Sequence, residues 1–234
     1  MSTQPFRIEL ADDHHIVGDS HDGNGPSYVF LHGLGSVRTG EKSESLREHA
    51  RARGHGFMRF DLRGHGDSSG KLGQIPVSEL IADTIKVLEH NGPAILVGSS
   101  LGGLVGAHVA AARPDLVPQL ALLAPAFGLM PKLSQRVDED GCLMTGEGVK
   151  FYVEPNVLKD AEQLDERSLA SRIQVPTLIV HGTADDVIPQ IVSEMFFAGM
   201  THEDKQLWIV PDGDHRLNMA APEIWQRLDA LRAR

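Results

Sequence analysis

One cysteine, Cys142, stands among 234 residues. An internal disulfide is excluded, and a free, partly buried thiol in a reducing, cytoplasmic setting is expected. Nothing beside Cys142 suggests a second nucleophile. Positive charge is also short: 22 lysines and arginines face 32 aspartates and glutamates, a net charge of −10. Nucleic acid and anionic membrane both need clustered cations, so neither is expected as a partner. No apolar run approaches a membrane span, so no stable membrane insertion is expected. The stretch Met1-Ser2-Thr3-Gln4-Pro5-Phe6-Arg7 has no cationic segment leading into an apolar one, and no export signal is read there. His14, His15 and His21 lack regular ligand spacing and a paired cysteine motif, so neither metal nor cofactor is expected. Internal repeats and low-complexity tracts are missing too. A chain of this length fits one α/β domain.

What the chain does contain centres on Gly98-Ser99-Ser100-Leu101-Gly102. Before it runs Pro93-Ala94-Ile95-Leu96-Val97, of strand type; after it, Gly103 to Ala112 reads as a helix stopped at Arg113-Pro114. Strand, sharp turn and helix with serine at the apex make a nucleophile elbow. The flanking glycines belong to that geometry, because backbone passes too close to the turn for side chains. Ser100 is the candidate nucleophile.

A serine hydroxyl needs a base to take its proton, and the base needs an orienting acid. On this elbow the chain order is serine, acid, histidine. Val175 to Gly182 reads as a buried strand, followed by the polar loop Thr183-Ala184-Asp185-Asp186-Val187-Ile188-Pro189. Acids just past a strand's C-terminal end sit where open α/β sheets place their sites. Asp185 is favoured over Asp186 as the acid. Lys205 to Val210 is the next strand, and Pro211-Asp212-Gly213-Asp214-His215 its loop. Of the histidines after the acid, His202 precedes this strand, at the wrong end, whereas His215 follows it. His181 is read as a strand terminus. The oxyanion hole needs two N–H donors. Leu101, after the nucleophile, is one candidate; Leu34, in the turn His32-Gly33-Leu34-Gly35 after the strand Ser27 to Leu31, is the other.

Strands alternate with helical stretches, which predicts a mainly parallel sheet covered on both faces. Phe6 to Leu10 and His15 to Val17 suggest a hairpin. Ser45-Leu46-Arg47-Glu48 reads as a capping box opening a helix that ends near Gly54. Phe57 to Asp61 and Leu120 to Ala124 read as strands. Val77, Leu80, Ile81, Ile85 and Leu88 form a helical stripe ended by Asn91-Gly92. Ile224, Trp225, Leu228 and Leu231 form the stripe of a last helix. Residues 127 to 172 break the rhythm with no clear strand, and are expected to form a lid of short helices. Leu129, Met130, Leu133, Leu143, Met144, Phe151 and Tyr152 are candidates for an acyl pocket or for the lid's own packing.

The whole pattern resembles the α/β-hydrolase superfamily. Leu31-His32-Gly33, Asp61-Leu62-Arg63-Gly64-His65-Gly66-Asp67-Ser68, Gly98 to Gly103, His181-Gly182-Thr183-Ala184-Asp185 and Asp214-His215 carry the likeness over about residues 27 to 231. Ala112-Arg113-Pro114, Asp185 to Pro189 and Asp214-His215-Arg216 further resemble the mitochondrial acyl-protein (palmitoyl) thioesterase and acyl-glucuronide esterase group with its bacterial relatives. The likeness implies an α/β-hydrolase fold, a Ser100–Asp185–His215 triad, and Leu34 and Leu101 as oxyanion donors. One loop departs: His32-Gly33-Leu34-Gly35 has the generic superfamily form, not the Pro-Gly-Tyr of the eukaryotic members. The expected activity is cleavage of a carboxylic ester or thioester through an acyl-enzyme. A carbon–carbon bond hydrolase of ring-cleavage dienoates is the rival, with Arg63 or Arg136 as carboxylate anchor. A ligand-binding protein that kept the fold and lost turnover is the other alternative; it would break the triad or the oxyanion turn.

Overall fold

The computed structural model describes residues 3–232 apart from 12, 146 and 147, so the N-terminal reading at Met1 and Ser2 lies outside the described residues. An antiparallel pair begins the chain: β1 (Gln4–Glu9) against β2 (His15–His21). Strands and helices then alternate: β3 (Gly25–Leu31), α1 (Glu41–Ala52), β4 (His55–Phe60), α2 (Val77–Asn91), β5 (Ile95–Ser99), α3 (Leu101–Ala112) and β6 (Leu120–Leu123). After β6 come a short 3-10 turn (Met130–Gln135), β7 (Cys142–Met144), β8 (Lys150–Tyr152), α4 (Pro155–Gln163) and α5 (Leu169–Arg172). The alternation resumes with β9 (Thr177–Gly182), α6 (Ile191–Gly199), β10 (Lys205–Val210) and α7 (Ala221–Arg232).

Eight strands form one sheet in the order β1-β2-β4-β3-β5-β6-β9-β10. From β4 to β10 every pairing is parallel, and only β1 and β2 run against their neighbours. The central strands β5, β6 and β9 are buried at every residue. A sheet covered on both faces needs such continuous apolar runs, not alternation. On one face α2 and α3 pack with Leu80, Leu88, Leu104 and Val105; on the other lie Leu46 and Ala50 of α1 and Ile224, Trp225 and Leu228 of α7. The chain leaves β3 toward β4 and then returns past β3 to β5. Strand order thus reverses between β3 and β5, and a crevice opens at their carboxyl ends. Leu31-His32-Gly33 and Ser99-Ser100 occupy those ends.

Two expectations need correction. The Ser45-to-Glu48 capping box does not open α1, which begins at Glu41 with Gly40 as its N-cap; the Glu44 N–H donates to the Gly40 carbonyl at 3.0 Å. Glu41 and Glu44 in the first turn suit the positive helix end. Ser45 lies inside the helix, where its hydroxyl accepts from Trp225 Nε1 at 2.9 Å. The stretch 127 to 172, of which 146 and 147 lie outside the described residues, holds a hairpin as well as helices. In β7–β8, Cys142 pairs with Tyr152 and Met144 with Lys150. Strands of three residues are too short to show a period in sequence. Phe127, Met130, Leu133, Val153 and Val157 join the same core cluster as α2 and α3.

Candidate active site

Ser100 stands between β5 and α3 with φ 53° and ψ −117°. A non-glycine residue at positive φ is strained and persists only where its surroundings over-determine it. They do so here. The Ser100 N–H donates to the Leu123 carbonyl at 2.9 Å, and its carbonyl accepts from Gly103 N at 2.9 Å and Ala126 N at 3.0 Å. A β-carbon on Gly98 would strike the Gly102 carbonyl, and one on Gly102 would strike the Leu31 carbonyl. The two outer residues of the elbow must therefore be glycine. All of Leu101 to Ala110 is buried, so α3 has no wet face and begins inside the protein.

The structure brings the three predicted polar residues together. Ser100 Oγ lies 3.1 Å from His215 Nε2, and His215 Nδ1 lies 2.7 Å from Asp185 Oδ2. Each group follows its own strand: β5 for Ser100, β9 for Asp185, β10 for His215. The Asp185 side chain is 0% exposed. Its Oδ1 accepts from Val187 N at 2.9 Å and Ile188 N at 2.8 Å. Burial alone would raise its pKa, but hydrogen bonds from His181, His215 and the Ile188 amide hold the carboxyl well below the ordinary range. The group is a fixed anion. Asp186, next in the chain, is exposed and lines the cavity.

His181 has more to do than end a strand. Its Nε2 lies 3.1 Å from Asp185 Oδ2 and 2.9 Å from the Ile188 carbonyl, and its Nδ1 lies 2.8 Å from Ser193 Oγ. Nε2–H thus donates to the Asp185–Ile188 loop while Nδ1 accepts the Ser193 hydroxyl proton. The only sequence signal was spacing: four residues separate it from Asp185. His202, by contrast, lies before β10 and accepts from the Asp204 N–H at 3.1 Å.

His32 also gains a role. Its Nε2 accepts from Leu62 N at 3.0 Å, which leaves the proton on Nδ1; that N–H donates to the Gly33 carbonyl at 2.8 Å. In a trans peptide the carbonyl and the following N–H point opposite ways. The Leu34 N–H is thereby turned away from His32, and no partner takes it among the described residues. A β-carbon on Gly33 would lie 3.2 Å from Ser100 Cβ, so this loop flanks Ser100. Burial, with the neighbouring His65 and against the pull of the Gly33 carbonyl and Asp61, depresses the His32 pKa to about 4. Leu101, the other predicted donor, is the first residue of α3.

A cavity of about 680 Å³ opens over Ser100 and His215. Of the predicted pocket residues, Leu129, Met130, Leu133, Leu143, Met144 and Phe151 line it. Tyr152 does not: it is half exposed, and its ring edge lies over Gly141. Arg63 and Arg136 both line the cavity, but Arg63 is consumed by Asp83 Oδ2 at 2.5 Å and Glu79 Oε2 at 2.8 Å. Cys142 is a free, half-buried thiol. His14 lies 3.2 Å from Ser69 Oγ, His15 lies 3.3 Å from the Asp67 carbonyl, and His21 stacks on Phe57. No helix among the described residues is long and apolar enough to cross a membrane.

A family model described as "Serine aminopeptidase, S33" matches residues 26–144 and 156–219, well over half of the chain. The mitochondrial palmitoyl-protein thioesterase ABHD10 of Mus musculus is 30% identical over 217 residues, covering 85% of this chain and 72% of the relative. The Bos taurus protein of the same name is 29% identical over 213 residues, covering 85% and 70%. A solved structure of alpha/beta hydrolase domain-containing protein 10 from mouse superposes with a TM-score of 0.84 at 25% identity, covering 97% of this chain and 99% of that one. Est1E from Butyrivibrio proteoclasticus, solved with ferulic acid, shares the fold with a TM-score of 0.79 at 20% identity, over 94% and 98% of the two chains. With a mainly parallel sheet, a serine elbow at its reversal point and a family match along most of its length, the chain belongs to the serine aminopeptidase S33 family of α/β-hydrolases.

Proposed function

We propose that this hydrolase cleaves carboxylic esters or thioesters of apolar acyl groups through an acyl-enzyme on Ser100. The observation that carries the reading is the unbroken relay from Ser100 Oγ through His215 to the buried Asp185 carboxylate. His215 Nε2 takes the serine proton as Oγ attacks the carbonyl carbon. Asp185 keeps the other imidazole proton on Nδ1 and stabilises the imidazolium that forms. The Leu34 and Leu101 N–H groups receive the oxyanion. When the tetrahedral adduct collapses, His215 gives its proton to the departing thiolate or alkoxide. Water, activated by the same imidazole, then releases the acid and restores Ser100.

The apolar lining supports an acyl substrate. Leu129, Met130, Leu133, Leu143 and Phe151 give a chain somewhere to go. Each methylene buried there is worth about 0.8 kcal/mol. Expressed in the transition state, this raises kcat/KM a few-fold per carbon until the cavity is full. The thioesterase named among the relatives favours the same chemistry. We further propose that residues 127 to 172 act as the lid of a single domain, since their side chains supply much of this lining. The cytoplasmic setting rests on the single cysteine; the mammalian relatives are mitochondrial by name. Fractionation with an activity-based probe decides between them.

The test is Ser100→Ala with a substrate panel. The variant keeps its fold, loses fluorophosphonate labelling, and loses turnover by several orders of magnitude. Labelling that persisted on Ser99 or Ser68 would move the nucleophile. The panel runs from acetyl to palmitoyl thioesters, with one ring-cleavage dienoate and one aminoacyl anilide. A flat chain-length profile with fast dienoate cleavage assigns the carbon–carbon reaction. That reaction must draw on Arg136, because Arg63 is already paired. Fast anilide cleavage assigns a peptidase, and no turnover at all a binding protein.

A further inference from the structure

Burying an ammonium group is costly unless it is hydrogen-bonded to good purpose. Lys42, the second residue of α1, is half-buried and lines the same cavity as Ser100 and His215. Its Nζ donates to the backbone carbonyl of Arg216, the residue after His215. That carbonyl shares a peptide plane with the Leu217 N–H, which donates to Asp214 Oδ1 at 2.8 Å. Both ends of the Arg216–Leu217 peptide, one residue beyond His215, are therefore held, one by Lys42 and the other by Asp214. Leu217 is buried and left-handed, at φ 54°, so the loop turns sharply at this plane. A second tie lies alongside it: Asn218 Nδ2 donates to Glu41 Oε2. The first turn of α1 thus grips the segment that carries His215, from a site 174 residues away in sequence.

We propose that Lys42 is a positioning residue for His215, its ammonium fixing the histidine loop so that Nε2 meets the Ser100 hydroxyl. The proposal rests on the reading of Ser100 and His215 as the reacting pair. A loop held by one peptide plane is sensitive to that plane, and small misplacements of a reacting group are costly. The charge matters as well as the N–H. A charge-assisted donor is roughly twice as strong as a neutral one. The charged groups around Lys42 are Asp214, His215 and Arg216 on the facing loop and Glu41 on its own helix. Burial, aided by Arg216 and opposed by Asp214 and Glu41, brings Lys42 down to about 8. The sign follows: below that pH the ammonium clamps the loop, and above it a neutral amine holds it weakly. Activity falls as pH rises through about 8.

The experiment measures kcat and KM for p-nitrophenyl butyrate from pH 5 to 10, with buffer hydrolysis subtracted, and the melting temperature of each variant. The wild type shows a descending alkaline limb. Lys42→Met loses about ten-fold in kcat at neutral pH with KM nearly unchanged, and loses the limb. Lys42→Arg, whose guanidinium stays charged, recovers most of kcat and also lacks the limb. A wild type with no alkaline limb overturns the proposal. So does a limb near pH 8 in either variant, whatever the melting temperature, or a Lys42→Met kcat within two-fold of wild type. Should Lys42→Met not fold, the limb in Lys42→Arg decides alone. Fluorophosphonate labelling run in parallel separates the two levels. Failure to label Ser100 in the wild type removes the underlying reading, whereas labelling with unaltered Lys42 variants removes this inference only.

Discussion

Asp185 gathers donors from two histidine rings and two backbone amides. That concentration separates it from Asp186 more sharply than order along the chain does. Asp185→Asn replaces an acceptor by a side chain that can donate, and the imidazole adopts the wrong tautomer. The expected loss in kcat is about 10⁴-fold. Asp186→Asn, at an exposed position, costs little. Turnover measured for both variants checks the assignment, and equal losses would transfer the role to Asp186. The histidines that hold the site from behind were harder to read. His32 takes its tautomer from Leu62, 30 residues away, and His181 shows its purpose only once the acid loop folds back on it. Both read in sequence as strand ends, because a ring's partners are not neighbours along the chain.

At the level of elements, α1 deserves its place for what it connects. Its outer face carries Glu48 and Arg51 toward solvent, and its inner face meets α7 through Ser45 and the fully buried Trp225. The capping-box pattern at Ser45 misled because the same hydroxyl serves a tertiary partner. Trp225→Ala removes the largest buried side chain of that face and leaves a cavity. The expected cost is about 3–5 kcal/mol, read as a lower urea midpoint with an unchanged slope. Ser45→Ala, which deletes only the acceptor of the indole N–H, costs about 1–3 kcal/mol. A Trp225→Ala loss below that of Ser45→Ala would show that the α1–α7 seam is not a packed one.

Taken as a whole, the molecule buries histidines that its fold keeps neutral. Burial lowers His32 to about 4; burial and the Arg172 cation, against Asp165 and Asp160, lower His108 to about 4. His108 Nε2 is buried without a hydrogen-bond partner among the described residues. Both groups start from 6.5 in the unfolded chain. Between those values the unfolded state binds protons that the native state refuses, so stability rises with pH there. It is fully present above pH 6.5 and lost as pH falls toward 4, at about 1.4 kcal/mol per pH unit for each group. Urea titrations between pH 4 and 7 measure the slope. His108→Leu should remove about one proton's worth of it; an unchanged slope would sink this account of acid sensitivity.

Local stereochemistry was enough to read the elbow. Gly98 and Gly102 are dictated by the sharpness of the turn around Ser100, and that constraint is written within five residues. The buried strands were legible for a similar reason, since a sheet covered on both faces demands runs such as Leu120 to Leu123. The order of serine, acid and histidine, each after its own strand, also stood in the chain. What the sequence did not hold was contact between segments far apart. Ser100 and His215 are separated by 115 residues, and Lys42 and Arg216 by 174. Those meetings depend on the strand order, which reverses between β3 and β5 and so gathers the loops at one edge. The three-residue strands β7 and β8 escaped for the opposite reason: they exist only by pairing with each other, and a period of two cannot be seen in three residues.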